Sequence, residues 1–573
     1  MNKINEYLIK NNYDYFLLPN TDEFFGEYLH PNDQKIKFIS GFAGSNATII
    51  FGKESNYFFT DGRYILQAQQ QLDNSQYHII DIAQKNVLQW LTENVKEHQS
   101  LAIDPKLISK NFCKKIATNI EKIIYLTNNP IDQIYNNTQQ IARNYSKSYE
   151  VPKAISGASF QEKINMILPK ISADAMLITS PLNLNWLLNI RGSDLPNTPL
   201  FLCRGILFKD GKLTLFANQS IDNPQIEVLP LAKFYEYFSQ NVDKISSLQL
   251  DFNQCNLATT LVLDKLRIDY THLDDPIDAI KTIKNFAEIS GAKNAHLHDG
   301  VAVVKFLYWL ENSWQNNIEI DEISAQEKLL SFRKNNDHFI ENSFETISAF
   351  AENGAIIHYK SQSDTNKKFN KNSLYLIDSG GQYFGKSFMG TTDITRTLAI
   401  GSPTHDMIEN YTLVLKGHIN LARVKFPKGS TGSQLDALAR VHLWNCQKDY
   451  QHGTGHGVGS FLSVHEGPCG ISRYNNHALA KGMILSNEPG FYLENHYGIR
   501  LENLMVVDEF DDNFMCFETL SLVPFEPNLI DFRMITYPEQ KWLVNYHLDI
   551  INKISDYLNH QEKEWFVKKY IFR

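Results

Sequence analysis

Between positions 374 and 398 the chain reads Leu-Tyr-Leu-Ile-Asp-Ser-Gly-Gly-Gln-Tyr-Phe-Gly-Lys-Ser-Phe-Met-Gly-Thr-Thr-Asp-Ile-Thr-Arg-Thr-Leu, with two acids where a packed sheet does not ordinarily put them. Residues 374–377 are an apolar, β-prone run, the glycine-rich centre is turn chemistry, and 394–398 alternate like a returning strand, which predicts a hairpin. Asp378 and Asp393 then stand at facing strand ends. The commoner fate of an aspartate beside glycine is a solvated turn, so the hairpin alone leaves their role open.

Three further ligand-type residues follow in apolar settings. His456 lies in Gln451-His-Gly-Thr-Gly-His-Gly-Val-Gly459, Glu488 in Leu485-Ser-Asn-Glu-Pro-Gly490, and Glu502 in Gly498-Ile-Arg-Leu-Glu-Asn503. Four carboxylates and an imidazole converging in a core repel one another severely unless cations neutralise them. A site for two divalent ions is the physical answer. Oxygen ligands with a single imidazole and no thiolate favour Mn²⁺, with Co²⁺ or Zn²⁺ able to take the same geometry.

A chain of 573 residues is too long for one core and predicts about three domains. Its net charge of −9 and isoelectric point near 6.1 provide no basic field, so neither nucleic acid nor an anionic membrane is an expected partner. The first residues are polar and interrupted, and the longest apolar run, 301–310, is broken by Lys305 and too short to span a bilayer. A cytoplasmic protein is expected. The six cysteines, at 113, 203, 255, 446, 469 and 516, form no short-range pairs and read as free thiols of a reducing compartment. Cys469, though near His465, sits in Gly467-Pro-Cys-Gly470, a turn, and is not expected to act as a nucleophile.

In chain order, residues 1–136 alternate helix and strand as an α/β domain, and its His30, His78 and His98 lack acid partners at ligand spacing. Residues 137–159 read as a linker. A second α/β domain, 160–283, echoes the first: Asp174-Ala-Met-Leu-Ile178 resembles Asp14-Tyr-Phe-Leu-Leu18, and 186–193 resembles 38–45. Arg191 and Asp194 break the echo, either as an ion pair within the domain or as a loop reaching a catalytic cleft. The third domain, 284–534, opens on a helix predicted over 286–314, whose His296 and His298 are expected at the surface. Further helices are expected over 323–332, 407–424 and 432–447, with strands from 343 to 398. The extension 535–573 carries Trp542, Tyr546, Trp565 and Phe566, an aromatic set that suggests glue within or between subunits and hence a homodimer.

These motifs resemble, in order, those of the aminopeptidase P (Xaa-Pro aminopeptidase) family in its long, cytosolic, three-domain form: Gly354-Ala-Ile-Ile-His-Tyr359, Ile377-Asp-Ser-Gly380, Gly390-Thr-Thr-Asp-Ile-Thr-Arg396, His452-Gly-Thr-Gly-His-Gly-Val-Gly459, Val464-His-Glu-Gly-Pro468, Asn487-Glu-Pro-Gly490 and Ile499-Arg-Leu-Glu-Asn503. The resemblance extends through 38–45 and 189–194 to the tail at 542–547, covering nearly the whole chain. It implies two creatinase-like α/β domains followed by a pita-bread metallopeptidase domain of α+β type.

It further implies that Asp378, Asp393, His456, Glu488 and Glu502 hold two divalent ions per chain, usually Mn²⁺, with Asp393 and Glu502 bridging. His358, His452 and His465 fall on histidines that bind substrate and move protons, and Arg500 on an arginine beside the bridging glutamate. Arg191 is the second arginine expected to touch substrate. The implied reaction is hydrolysis of the bond between an N-terminal residue and proline in position two, through a hydroxide bridging the two ions, with Glu488 as general base. Imidazole edges at His358, His452 and His465, together with Tyr359, are expected to wall the proline pocket. Asp378 and Asp393 are 15 positions apart, four more than the family's usual spacing, with the extra residues near 385–388. An even insertion lengthens a hairpin without turning either aspartate to the other face. Prolidase is the enzymatic alternative, and a binding module on the same fold a non-catalytic one.

Overall fold

A computed structural model describes residues 3–134, 148–221 and 223–571. They form two compact units, one of residues 1–151 with 158–277, the other of 152–157 with 278–573. Residues 137–147 of the expected linker lie outside the described residues. The rest of it holds a strand, Tyr149–Glu150, paired to Ile190–Arg191, and a short helix, Lys153–Ser156.

The first unit contains two six-stranded sheets of one topology. In the first, Tyr77–Asp81, Asn56–Thr60, Thr48–Gly52, Tyr15–Pro19, Ser100–Ile103 and Lys122–Tyr125 lie side by side. In the second the order is Ile226–Leu229, Leu213–Phe216, Arg204–Phe208, Ala175–Ile178, Ser247–Leu250 and Asp269–His272. Both sheets place two antiparallel pairings between parallel ones, in the same sequence. The echoed segments 14–18 and 174–178 fall on corresponding central strands, and the echoed helices Lys35–Ser40 and Pro181–Leu188 both end on a left-handed residue, Gly41 and Asn189. The repeat is therefore structural: in each sheet the inner strands, such as Ala175–Ile178, are buried apolar runs, whereas outer strands such as Asp269–His272 are polar and largely exposed.

In the second unit the helix Phe286–Gln315 starts behind an Asn285/Glu288 capping box and runs for 30 residues. It packs on the far end of the 374–398 ribbon: Ala292 and Ala295 meet Gly390 so closely that a Cβ there would lie 2.7 Å from the Ala295 methyl. That contact explains a departure from expectation. His296, expected at the surface, is buried and has its Nδ1 2.7 Å from the Ala292 carbonyl oxygen, because the polar face carrying it is the one the ribbon covers.

The ribbon is one bent hairpin shared by two sheets. Ser373–Ser379 pairs with Ile394–Ile400 and with Ile347–Phe350. Beyond Gly380, Gly381–Phe384 pairs with Met389–Thr391 and with Phe339–Asn342. At Gly380 the strands cross so tightly that a Cβ would lie 2.0 Å from the Thr392 carbonyl oxygen, which only glycine tolerates. Residues 385–388 form the tip, closed by Gly385 N–H donating to Phe388 O at 2.8 Å. Between the aspartates and this tip the hairpin is paired through Gly381–Phe384 and Met389–Thr391.

A further sheet, Phe426–Pro427, Phe514–Thr519, Asn503–Glu509 and Ile484–Asn487, and the helices His405–Arg423 and Gly432–Trp444 lie in the same unit. The C-terminal helices Tyr537–Ile554 and His560–Tyr570 belong to its core: Leu543, Tyr546, Ile550, Phe566 and Tyr570 are buried with Val304, Tyr411 and Phe525. Trp542 stacks on Tyr546 at 5.2 Å. These aromatics are spent within the chain, so the expectation of a homodimer draws no support from them. No described helix is long and apolar enough to cross a membrane.

Candidate metal centre

Five chain segments deliver acids and imidazoles to one place. Asp378 is the last residue but one of the strand Ser373–Ser379, opposite Thr395. Asp393 immediately precedes the partner strand. Glu488 follows Ile484–Asn487, its N–H donating to Thr454 O at 2.8 Å, and Glu502 follows Tyr497–Arg500, its N–H donating to Thr395 O at 3.1 Å. His456 sits on the two-residue strand Gly455–His456, paired with Gly470–Ile471. Ligand atoms of Asp378, Asp393 and Glu502 lie within 4.8 Å of one another, as do those of His456, Glu488 and Glu502 and those of Asp393, His456 and His465.

The electrostatics are those of a site built for cations. Burial raises the carboxyls of Asp378, Glu488 and Glu502, and the neighbouring Asp393 raises each further. For Glu502, Glu488 and Asp378 add to the effect and carry it well above the carboxylate range. Burial works against a charge on His456, but Asp393 and Glu488, 3.4 and 3.5 Å from its Nε2, prevail and hold the imidazole up at about 9. Among the described residues, Asp378 Oδ1 and Asp393 Oδ1 are buried without a hydrogen-bond donor. Such orphaned acceptors fit a bound metal ion, since a buried carboxylate oxygen otherwise finds a donor. No cysteine belongs to the candidate ligand groups.

Around the acids, neighbouring groups fix orientation. Arg500 is buried and donates from Nη2 to Asp378 Oδ2 at 2.6 Å and from Nη1 to Tyr492 Oη at 2.7 Å. Expected as a substrate contact, the Arg500 guanidinium also holds one oxygen of Asp378. Thr395 Oγ1 donates to Glu502 Oε2 at 2.8 Å, and Ser486 Oγ to Glu488 Oε1 at 3.1 Å. Sequence reasoning passed over Thr395, Ser486 and Tyr492, although Thr395 is two positions from Asp393 and could have been found as its same-face neighbour on a strand. Arg396, also buried, donates to Thr395 O, Pro524 O and Asn503 Oδ1 at 2.8–3.0 Å and lies over the Phe525 ring, tying the ribbon to the strand that follows Glu502.

The three other histidines stand at different distances from this core. His465 packs edge-on against His456 with ring centres 4.3 Å apart. His452 reaches the cluster through Tyr492, its Nε2 lying 2.9 Å from Tyr492 Oη, which in turn accepts from Arg500. His358 is half-buried on the segment after Ile347–Phe350. Tyr359, expected as a pocket wall, is instead buried with Ile347, Ala349 and Leu376. Arg191 belongs to the other unit, where its guanidinium donates to Asn185 O and Ile190 O. No role at the carboxylate cluster is assigned to it.

Comparison with known proteins agrees along the chain. The description "Metallopeptidase family M24" matches residues 290–509, and "C-terminal region of peptidase_M24" matches 513–570. "Creatinase/Prolidase N-terminal domain" matches twice, at 1–134 and 139–288. Xaa-Pro aminopeptidase 1 of Dictyostelium discoideum is 35% identical over 94% of this chain and 90% of its own length. The crystal structure of X-prolyl aminopeptidase from Caenorhabditis elegans, a cytosolic enzyme with a di-nuclear active site, is 31% identical over 97% of this chain and 95% of that one, with a TM-score of 0.91. A prolidase from Pyrococcus horikoshii, 23% identical with a TM-score of 0.50, covers 64% of this chain and shares the fold. The match over both N-terminal sheets, the ribbon and the tail leaves one assignment: this chain belongs to the Xaa-Pro aminopeptidases of metallopeptidase family M24.

Proposed function

We propose that Asp378, Asp393, His456, Glu488 and Glu502 hold two divalent cations, Mn²⁺ by preference, with Asp393 and Glu502 shared between them, and that the chain hydrolyses the bond between an N-terminal residue and a proline in position two. The observation that carries this reading is the pair of buried, donor-free oxygens, Asp378 Oδ1 and Asp393 Oδ1, inside a cluster of four acids. When bound, two such cations supply an ionised water at neutral pH and polarise the scissile carbonyl.

The chain's own groups do the rest. Glu488, fixed at Oε1 by Ser486, takes the proton of the attacking water on its other oxygen. His465, against the cluster, or His358 hydrogen-bonds the developing oxyanion or helps deliver the proton taken by Glu488 to the leaving nitrogen. His452, tethered to Tyr492, walls the proline side. A proline peptide bond has no N–H to recognise, so this wall selects by shape. The substrate's free α-amine fits beside the acids, which limits the chain before the scissile bond to one residue. A cytoplasmic location accords with the nematode relative's description.

Rates on four peptide classes at fixed Mn²⁺ test the reading. Xaa-Pro-Yaa peptides are cleaved fast, Xaa-Ala-Yaa peptides slowly, N-acetylated peptides hardly at all and Xaa-Pro dipeptides poorly. Fast dipeptide cleavage with inert tripeptides would make the chain a prolidase, and inertness toward all four in metal-replete protein would make it a binding module.

A further inference from the structure

Glu322, the first residue of the helix Glu322–Lys334, is completely buried and makes no ion pair among the described residues. Its Oε1 accepts from Phe350 N–H at 2.6 Å and Asn353 Nδ2 at 2.9 Å. Its Oε2 accepts from Tyr359 Oη at 2.8 Å and Lys367 N–H at 2.9 Å. The main chain joins in: Ser348 Oγ donates to Glu322 O at 2.6 Å, and Glu322 N–H donates to Lys367 O at 3.1 Å. Every one of these partners lies between 348 and 367, the segment that carries His358.

A buried carboxylate without a counter-charge is costly unless hydrogen bonds surround it. Here all of them come from the end of the strand Ile347–Phe350 and the segment that follows it, so the carboxylate and the segment order each other. The opposite side of the segment is fixed too. Gly354 lies backbone to backbone on Gly498, where a Cβ on Gly498 would sit 1.7 Å from Gly354 O, and Gly498 belongs to the strand that carries Arg500. The segment is held between a buried acid and a strand of the metal centre, and Tyr359, the residue bonded to the acid, is next to His358.

Resting on the role given to His358 above, we infer that Glu322 is a positioning residue for His358, acting through Tyr359 and the backbone of the 348–367 segment. It touches neither substrate nor the acids, and it sets where the imidazole stands.

The test uses Glu322→Gln and Tyr359→Phe in the full chain, each made alone and together with His358→Ala, assayed on an Xaa-Pro-Yaa peptide with metal content measured alongside. Each single change lowers kcat/KM by about 10-fold or more, the scale on which sub-ångström misplacement of a reacting group is felt, and leaves metal content as in wild type. In the His358→Ala background the same changes cost less than about 2-fold, because the group they position is gone. A purely structural role lowers activity by equal factors in both backgrounds, and that result overturns the inference, as do wild-type rates or lost metal in the single variants. If Glu322→Gln does not fold, Tyr359→Phe decides. A His358→Ala enzyme with wild-type activity would bring down the reading of His358 and this inference together, whereas a crippled one with equal factors brings down the inference alone.

Discussion

Arg500 Nη2 stands 2.6 Å from Asp378 Oδ2, and both side chains are almost wholly inside the protein. The contact fixes one oxygen of the aspartate and leaves the other, Oδ1, without a donor. Removing the guanidinium leaves Asp378 free to turn and uncompensated. Arg500→Ala should weaken metal binding and lower kcat/KM, each by about 10–100-fold, the usual cost of losing a group that orients a ligand. Titration of the metal-free variant with Mn²⁺, followed by activity, checks it. Unchanged affinity would mean the contact does not orient the ligand.

Glu488→Gln keeps the shape and the Ser486 contact but removes the basic oxygen. Turnover should fall by at least about 10²–10⁴, the range supplied by a general base. Activity is measured on samples whose metal content is known. Near-wild-type rates at full metal occupancy would move the base elsewhere.

Purified protein should hold about two divalent ions per chain, the number a two-metal hydrolytic site requires. Chelation should abolish activity, and Mn²⁺ should restore it better than Zn²⁺, in keeping with a ligand set dominated by carboxylates. Elemental analysis decides the count. A fully active, metal-free preparation would refute the metal centre outright.

Two imidazoles in the second unit are buried neutral. Burial, with the nearby Arg396 as a further cause, takes His418 down from its ordinary 6.5 to about 3 and His547 to about 4. The unfolded chain therefore takes up protons below 6.5 that the folded chain refuses. Stability from these groups is complete above 6.5 and drains away as pH falls toward the folded values, by at most about 1.4 kcal/mol per pH unit for each. Melting curves of chelator-treated protein should show a steeper acid loss in wild type than in His418→Gln. Equal slopes would show that His418 is not buried neutral.

Gly498→Ala places a Cβ 1.7 Å from Gly354 O. Backbone would have to part from backbone, at a cost of about 1–3 kcal/mol or more, and both Arg500 and the His358 segment would shift. A lower Tm with a disproportionate loss of kcat is expected, and an alanine variant of wild-type stability would show that the two backbone segments are not so close.

Much of this molecule was legible before its coordinates. The hairpin around Asp378 and Asp393 could be read because an apolar run, a glycine-rich turn and an alternating return are local patterns with local causes. The echo of 14–18 in 174–178 announced two sheets of one topology for the same reason. His296 was misread because a helix's polar stretch says nothing about which remote strand will cover it, and Tyr359 because a tyrosine beside a candidate histidine can turn its hydroxyl either way. Glu322, Thr395 and Tyr492 went unnoticed, being ordinary residues until the chain brings their partners to them.

The sequence by itself pointed to which residues could bind metal: four acids and an imidazole in apolar surroundings, each within a motif that resembles those of a metallopeptidase family. Tertiary structure alone decided how those residues are held. Asp378 depends on Arg500, 122 positions away, Glu502 on Thr395, 107 away, and Glu322 meets Tyr359 across 37. Hydrogen bonds act over about 3 Å, and no local pattern along the chain encodes which distant donor will come to lie within that reach.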